Sequence, residues 1–105
     1  MRSLSFDRRA PQGGDRERLA RLTRHLHARL LDFGPGGPQV CRFQQEAGLV
    51  SAVFPGHQTQ EVLQGLAQLG ILVATEEGEA LFYLRPECRF EDLDHVWGCL
   101  LEVLS

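Results

Sequence analysis

The chain has 105 residues, 43% of them hydrophobic, which is the size and content of one small domain with a single core and leaves no room for a second. Its net charge is −3, and all eleven basic residues are arginine, so lysine chemistry is excluded. The longest apolar runs, 49–54 and 70–74, fall far short of the ~20 residues that cross a bilayer, and the N-terminus has no hydrophobic signal core, so a soluble cytoplasmic protein without a membrane role is expected.

The charge is unevenly spread. Residues 1–31 carry +5, from eight arginines against Asp7, Asp15 and Glu17, whereas residues 32–105 carry −8, from three arginines against eleven acids. Such asymmetry either marks a surface for an anionic partner or pairs one helix with the acidic remainder. Three cysteines, Cys41, Cys88 and Cys99, form an odd set without framework spacing, which argues for free thiols in a reducing compartment. Cys41 lies in an apolar run and is expected to act as a buried small hydrophobe.

Residues 1–14 read as an extended arm and linker, because Pro11, Gly13 and Gly14 break regular structure. Leu4 and Phe6 alternate with polar residues, a pattern that could add a short strand to an edge, in this molecule or a neighbour, but a mobile terminus is the expected case. Residues 15–105 form the domain. From Asp15, a suitable N-cap, Leu19, Leu22, Leu26, Leu30 and Phe33 recur at helical spacing, until the glycine- and proline-rich run 34–38 ends the helix.

Two β-type runs follow, Gln39 to Gln44 and Leu49 to Phe54, separated by a short polar segment that predicts an antiparallel hairpin. Thr59 to Leu69 predicts a second helix burying Val62, Leu63, Leu66 and Leu69, with Gly70 at its natural stop. Ile71 to Thr75 and Ala80 to Arg85 predict a second hairpin, turned at Gly78. The last helix, Phe90 to Leu104, opens with Glu91, Asp92 and Asp94 at the positive end of its dipole and buries Leu93, Val96, Trp97, Leu100 and Leu104. The expected fold is α+β, a small antiparallel sheet of about four strands with helices mainly on one face, in the order αββαββα.

These residues carry a resemblance. "RLARLTRHLHARLLDFG", "GLVSAVF", "EVLQGLAQLGILVA" and "RFEDLDHVWGCLLEVL", in that order and spacing over residues 16–104, resemble the C-terminal small domain of fold-type I pyridoxal-phosphate (PLP) enzymes, particularly the class V aminotransferase and cysteine desulfurase branch. The resemblance implies a cofactor held by a lysine in a large domain that precedes this one. The 105 residues contain neither that domain nor a lysine, so no cofactor is expected on this chain. The resemblance also implies an arginine that clamps the substrate carboxylate, but counting back from "EDLD" places it at Leu81. Arg85, four residues later, is the candidate remnant of that clamp, weighed against an ordinary strand-end arginine paired with a neighbouring acid. The active-site loop that such enzymes carry between the two closing strands shrinks here to "TEEG".

Other chemistry is sparse. His95, Cys99 and Glu102 fall on one side of the last helix, with Cys88 shortly before it, yet there is no Cys-x-x-Cys knuckle and structural zinc wants four ligands, so no metal site is expected. His25 and His27 stand among Arg18, Arg21, Arg24 and Arg29, a basic run with no interleaved aromatic residue of the kind single-strand binders use. His57 precedes the second helix and reads as a loop or cap histidine. No phosphate loop, nucleophile elbow or paired histidines with a glutamate occurs.

The sequence therefore predicts a non-catalytic small-domain homologue acting as an interaction or regulatory module, as a homo-oligomer or with a separate protein. One alternative is a subunit of a split PLP enzyme whose large domain is another chain. The other is a winged-helix DNA-binding domain, with Thr59 to Leu69 as recognition helix and the following hairpin as wing. That helix carries no cation and the hairpin carries Glu76, Glu77 and Glu79, so nucleic acid is disfavoured.

Overall fold

The computed structural model describes residues 4–7 and 15–105. Eight elements follow one another: β1 (Leu4–Phe6), α1 (Arg16–Leu31), β2 (Gln39–Gln44), β3 (Leu49–Val53), α2 (Thr59–Gln68), β4 (Ile71–Glu76), β5 (Glu79–Tyr83) and α3 (Phe90–Leu104). The strands make one sheet in the order β1-β4-β5-β3-β2. The ladders β2–β3, β3–β5 and β4–β5 are antiparallel, and β1 runs parallel to β4, with Leu4 opposite Ile71 and Phe6 opposite Val73.

The sheet is thus mixed and five-stranded rather than antiparallel with about four strands. The addition is Leu4–Phe6, the arm segment whose alternation left an edge strand open. The rest of the expected arm, residues 1–3 and 8–14, lies outside the described residues.

Local chemistry explains each boundary. Asp15 caps α1, its Oδ1 accepting from Arg18 N at 2.9 Å, which satisfies one of the orphan amides of the first turn. Inside α1 the buried Thr23 returns its hydroxyl proton to Leu19 O at 2.7 Å. The β4–β5 turn consists of Glu77 (φ 52°) and Gly78 (φ 81°), both left-handed, as the twist of a two-residue hairpin demands. Thr59 Oγ1 donates to Gly78 O at 2.7 Å and ties this turn to the start of α2.

α1 packs against β2 and β3, α2 packs against β4 and β5, and α3 packs against both α1 and α2. All three helices therefore share one face of the sheet. Their apolar stripes meet Val50, Ala52, Phe54, Ala80, Phe82 and Leu84 in one core, joined from the β1 side by Leu4, Phe6 and Ile71. Gly65 permits the α2–α3 contact, since a Cβ there would stand 3.0 Å from Val103 Cγ1. Each large side chain so buried contributes about 1.5–3 kcal/mol against its loss of freedom.

One sequence expectation is corrected here. Cys41 is exposed, not a buried small hydrophobe. The β2–β3 register shifts between Val40 and Arg42, leaving Cys41 as the extra residue of a bulge on an edge strand, where its side chain has no core to enter.

The winged-helix alternative needs a helix over residues 44–50, but these residues form the end of β2, the β2–β3 turn and the start of β3. Among the described residues, no helix is long and apolar enough to cross a membrane.

Candidate functional site

The end of β5 is the place where the chain gathers the most chemistry. Arg18 reaches across from α1 and fixes the link to α3, its Nε donating to Pro86 O at 2.7 Å and its Nη2 to Cys88 O at 2.8 Å. Gly48 meets the same link: Leu84 N donates to Gly48 O at 2.7 Å, and the glycine stands at φ +70° with no room for a Cβ. Neither role of these residues has a sequence signature, because both contacts join segments far apart in the chain.

Arg85 stands within this link and lines a cleft of about 200 Å³ with Glu87, Cys88 and Asp92 opposite the three residues of β1. Its Nη1 is 4.0 Å from Glu87 Oε1, and its Nε is buried with no acceptor. Asp92 is buried and accepts from Arg89 N at 3.1 Å. Burial pushes the Cys88 thiol above its ordinary value of 9.0; a backbone hydrogen bond at Arg85 opposes this, while the negative charges of Asp92 and Glu87 add to it. A thiol held protonated is a poor nucleophile. The cleft offers a guanidinium with an unfilled donor, which can hold a carboxylate or another acceptor, and nothing that attacks one.

The other candidates disperse. Cys99 Sγ lies 3.6 Å from His95 Nε2 on α3, and its thiol is raised by burial and then by Glu102. Among the described residues no group of three or more histidine, cysteine or acidic side chains comes together around a metal position. His57 lines a separate cleft of about 420 Å³ between α2 and α3, with Glu61 and Glu102 at its rim and Val62 and Val103 within.

The basic helix divides into two sets. Facing α3, the Arg29 guanidinium stacks 4.0 Å above Trp97 and lies 3.4 Å from Asp94 Oδ1. His25 Nε2 contacts the same carboxylate oxygen at 2.8 Å and sets its ring edge against Phe90. Part of the charge asymmetry is therefore spent inside the molecule, pairing α1 with the acidic last helix. Arg16, Arg21 and Arg24 point to solvent. On the flank toward β2, His27 stacks flat on Phe43, ring centroids 4.2 Å apart and planes 5° from parallel. Phe43 thus stands beside the basic helix, an adjacency between segments that the order of residues does not reveal.

No family model matches the chain, and no curated protein does. Solved structures do match in fold. A serine palmitoyltransferase from Sphingomonas wittichii superposes with a TM-score of 0.66 at 23% identity, over 84% of this chain and 24% of that one. A serine palmitoyltransferase from S. paucimobilis, solved with bound PLP and myriocin, gives 0.65 at 23% identity over 84% and 24%. A transaminase from directed evolution by ancestral reconstruction gives 0.65 at 12% identity over 83% and 22%. The chain thus has the fold of the C-terminal small domain of PLP-dependent fold-type I enzymes and spans about a quarter of the length of the proteins it matches. Its own side chains do not fit the cofactor: a Schiff base needs a lysine amine, and the sequence has none.

Proposed function

We propose that this domain works as a non-catalytic interaction module built on the architecture of a PLP-enzyme small domain. The observation that supports this most directly is the pairing of that fold with a side-chain set that has no Schiff-base amine and whose screened thiols, the half-buried Cys88 and the buried Cys99, are pushed toward the protonated state. Its long-range polar contacts serve the scaffold, as in the link held by Arg18 and the seam between α3 and the other helices. Affinity capture from the native host with the tagged chain, followed by identification of the bound proteins, tests the reading. Recovery of a specific partner that carries no PLP supports it. A stable, stoichiometric PLP absorbance on the isolated chain overturns it.

A second reading is favoured by one atom. The Arg85 Nε, buried and without an acceptor, is what a chain would keep if its cleft received a carboxylate presented by a separate cofactor-bearing domain. Capture of a PLP protein, with an activity in the mixture that Arg85→Ala abolishes and the wild-type chain restores, would establish this split-enzyme arrangement in place of the first.

A further inference from the structure

β2 is the outer strand on its side of the sheet, so one row of its backbone amides and carbonyls has no strand to pair with. Such an edge is a template for another strand unless something blunts it. The bulge at Cys41 disrupts the half that begins at Gln39, but Arg42, Phe43 and Gln44 keep regular register with β3. This half of the edge stays available.

The flank of α1 runs beside it. Arg24, His27 and Leu31 recur at three- and four-residue steps, so they form one stripe, and His27 places that stripe against β2 by stacking on Phe43. Leu31 is 56% exposed and Phe43 39%, two of the five large apolar side chains the described residues leave in solvent. An accessible strand edge bordered by an apolar ledge is the arrangement that captures extended peptides, the backbone giving affinity and the ledge giving specificity.

Charge selects among occupants. Among the described residues the guanidinium of Arg24 reaches only Gln45, at 3.5 Å, and the exposed Arg16 lies two turns before it on the helix. Around this flank Glu79 is held by Arg42 and Ser51, and Asp32 by Arg29, while Glu17 and Glu46 stand exposed against the three exposed arginines Arg16, Arg21 and Arg24. A second copy paired edge to edge would bring these arginines against their own counterparts. An acidic strand meets them with opposite sign.

We propose that the free edge of β2 and the adjoining flank of α1 dock an extended acidic segment of another protein, which pairs its backbone along Arg42–Gln44, rests apolar side chains on Phe43, His27 and Leu31, and sets carboxylates toward Arg24. This surface shares no residue with the Arg85 cleft, whose wall includes β1 at the opposite edge of the sheet.

The test is a titration of the isotope-labelled full chain with a short blocked peptide that alternates glutamate and valine, followed by amide chemical shifts and hydrogen exchange. Shifts and new protection confined to residues 24–31 and 42–45 are expected. Arg24→Glu should weaken that peptide about fivefold, the scale of an exposed ion pair, and should strengthen a matched arginine–valine peptide. Leu31→Glu, at an exposed position, should weaken both without unfolding the domain. A footprint on β1 or α2, equal affinity of the wild type and Arg24→Glu, capture of a single-stranded oligouridylate by the same residues in preference to the peptide, or a peptide-free dimer paired through β2 would each overturn the proposal.

Discussion

At one edge of the sheet β1 pairs only three residues with β4, yet Phe6 is 1% exposed and its ring meets Phe82 at 6.2 Å. At the other edge β2 runs six residues along β3 and leaves five of them exposed. The longer ladder therefore belongs to the strand that contributes less to the core. The stabilising value of an edge strand depends on whether its alternate side chains reach the helix side, and hydrogen-bond count is a poor guide to it.

The sharpest test of that contrast is Phe6→Ala. Removing a fully buried aromatic ring should cost about 3–5 kcal/mol in denaturant unfolding, despite the shortness of its strand; a loss near zero would mean that β1 is not docked in solution. Next is Gly48→Ala, in the turn that anchors β2 to the rest of the sheet. The new Cβ would meet Leu84 O at 2.9 Å from a left-handed backbone, and a loss of about 2–3 kcal/mol is expected by thermal or chemical melts.

The thiols extend the comparison to chemistry. Cys41 at the β2 edge is exposed, whereas Cys88 beside β1 and Cys99 in the core are screened, so alkylation followed by mass spectrometry should label Cys41 first and the others at the rate of opening. Cys88 and Cys99 both titrate above their ordinary 9.0 in the folded chain. The unfolded chain therefore loses those protons first as pH rises. Stability contributed by the neutral thiols is intact below about 9 and declines above it until the folded thiols ionise, and Cys88→Ala with Cys99→Ala should flatten that alkaline decline. The smallest effect expected is Phe43→Ala, below about 1 kcal/mol because the ring is partly in water already; a loss as large as that of Phe6→Ala would erase the distinction between the edges.

Much of this architecture is legible in the residues. α3 begins and ends where the acidic opening and the leucine spacing place it, β2 spans its expected residues, and the other main elements differ by at most two residues at an end. Period and capping are local properties, and a sequence displays them. The features that escaped depend on non-local geometry. The pairing of Leu4–Phe6 with β4 joins distant segments in parallel, which no hairpin turn announces. The bulge that exposes Cys41 changes which way a side chain points without changing its neighbours in the sequence. The same holds at the candidate sites: Arg85 was visible as a strand-end arginine, but its buried Nε and the opposing wall of β1 emerge only from packing, as does the meeting of His27 with Phe43.

The place of α3 between α1 and α2 bears on how the protein is made. Both earlier helices rest on the sheet, and each carries in addition an apolar flank that packs against the last helix, whose Leu93, Val96 and Leu100 belong to the shared core. During synthesis the first helix and both hairpins leave the ribosome with that seam open, and they stay so until α3 has been added. The nascent chain therefore has no stable intermediate that hides its core, and exposed surface of this kind invites aggregation or chaperone capture. Completion of a single helix then converts the chain from a client of the folding machinery into a closed domain.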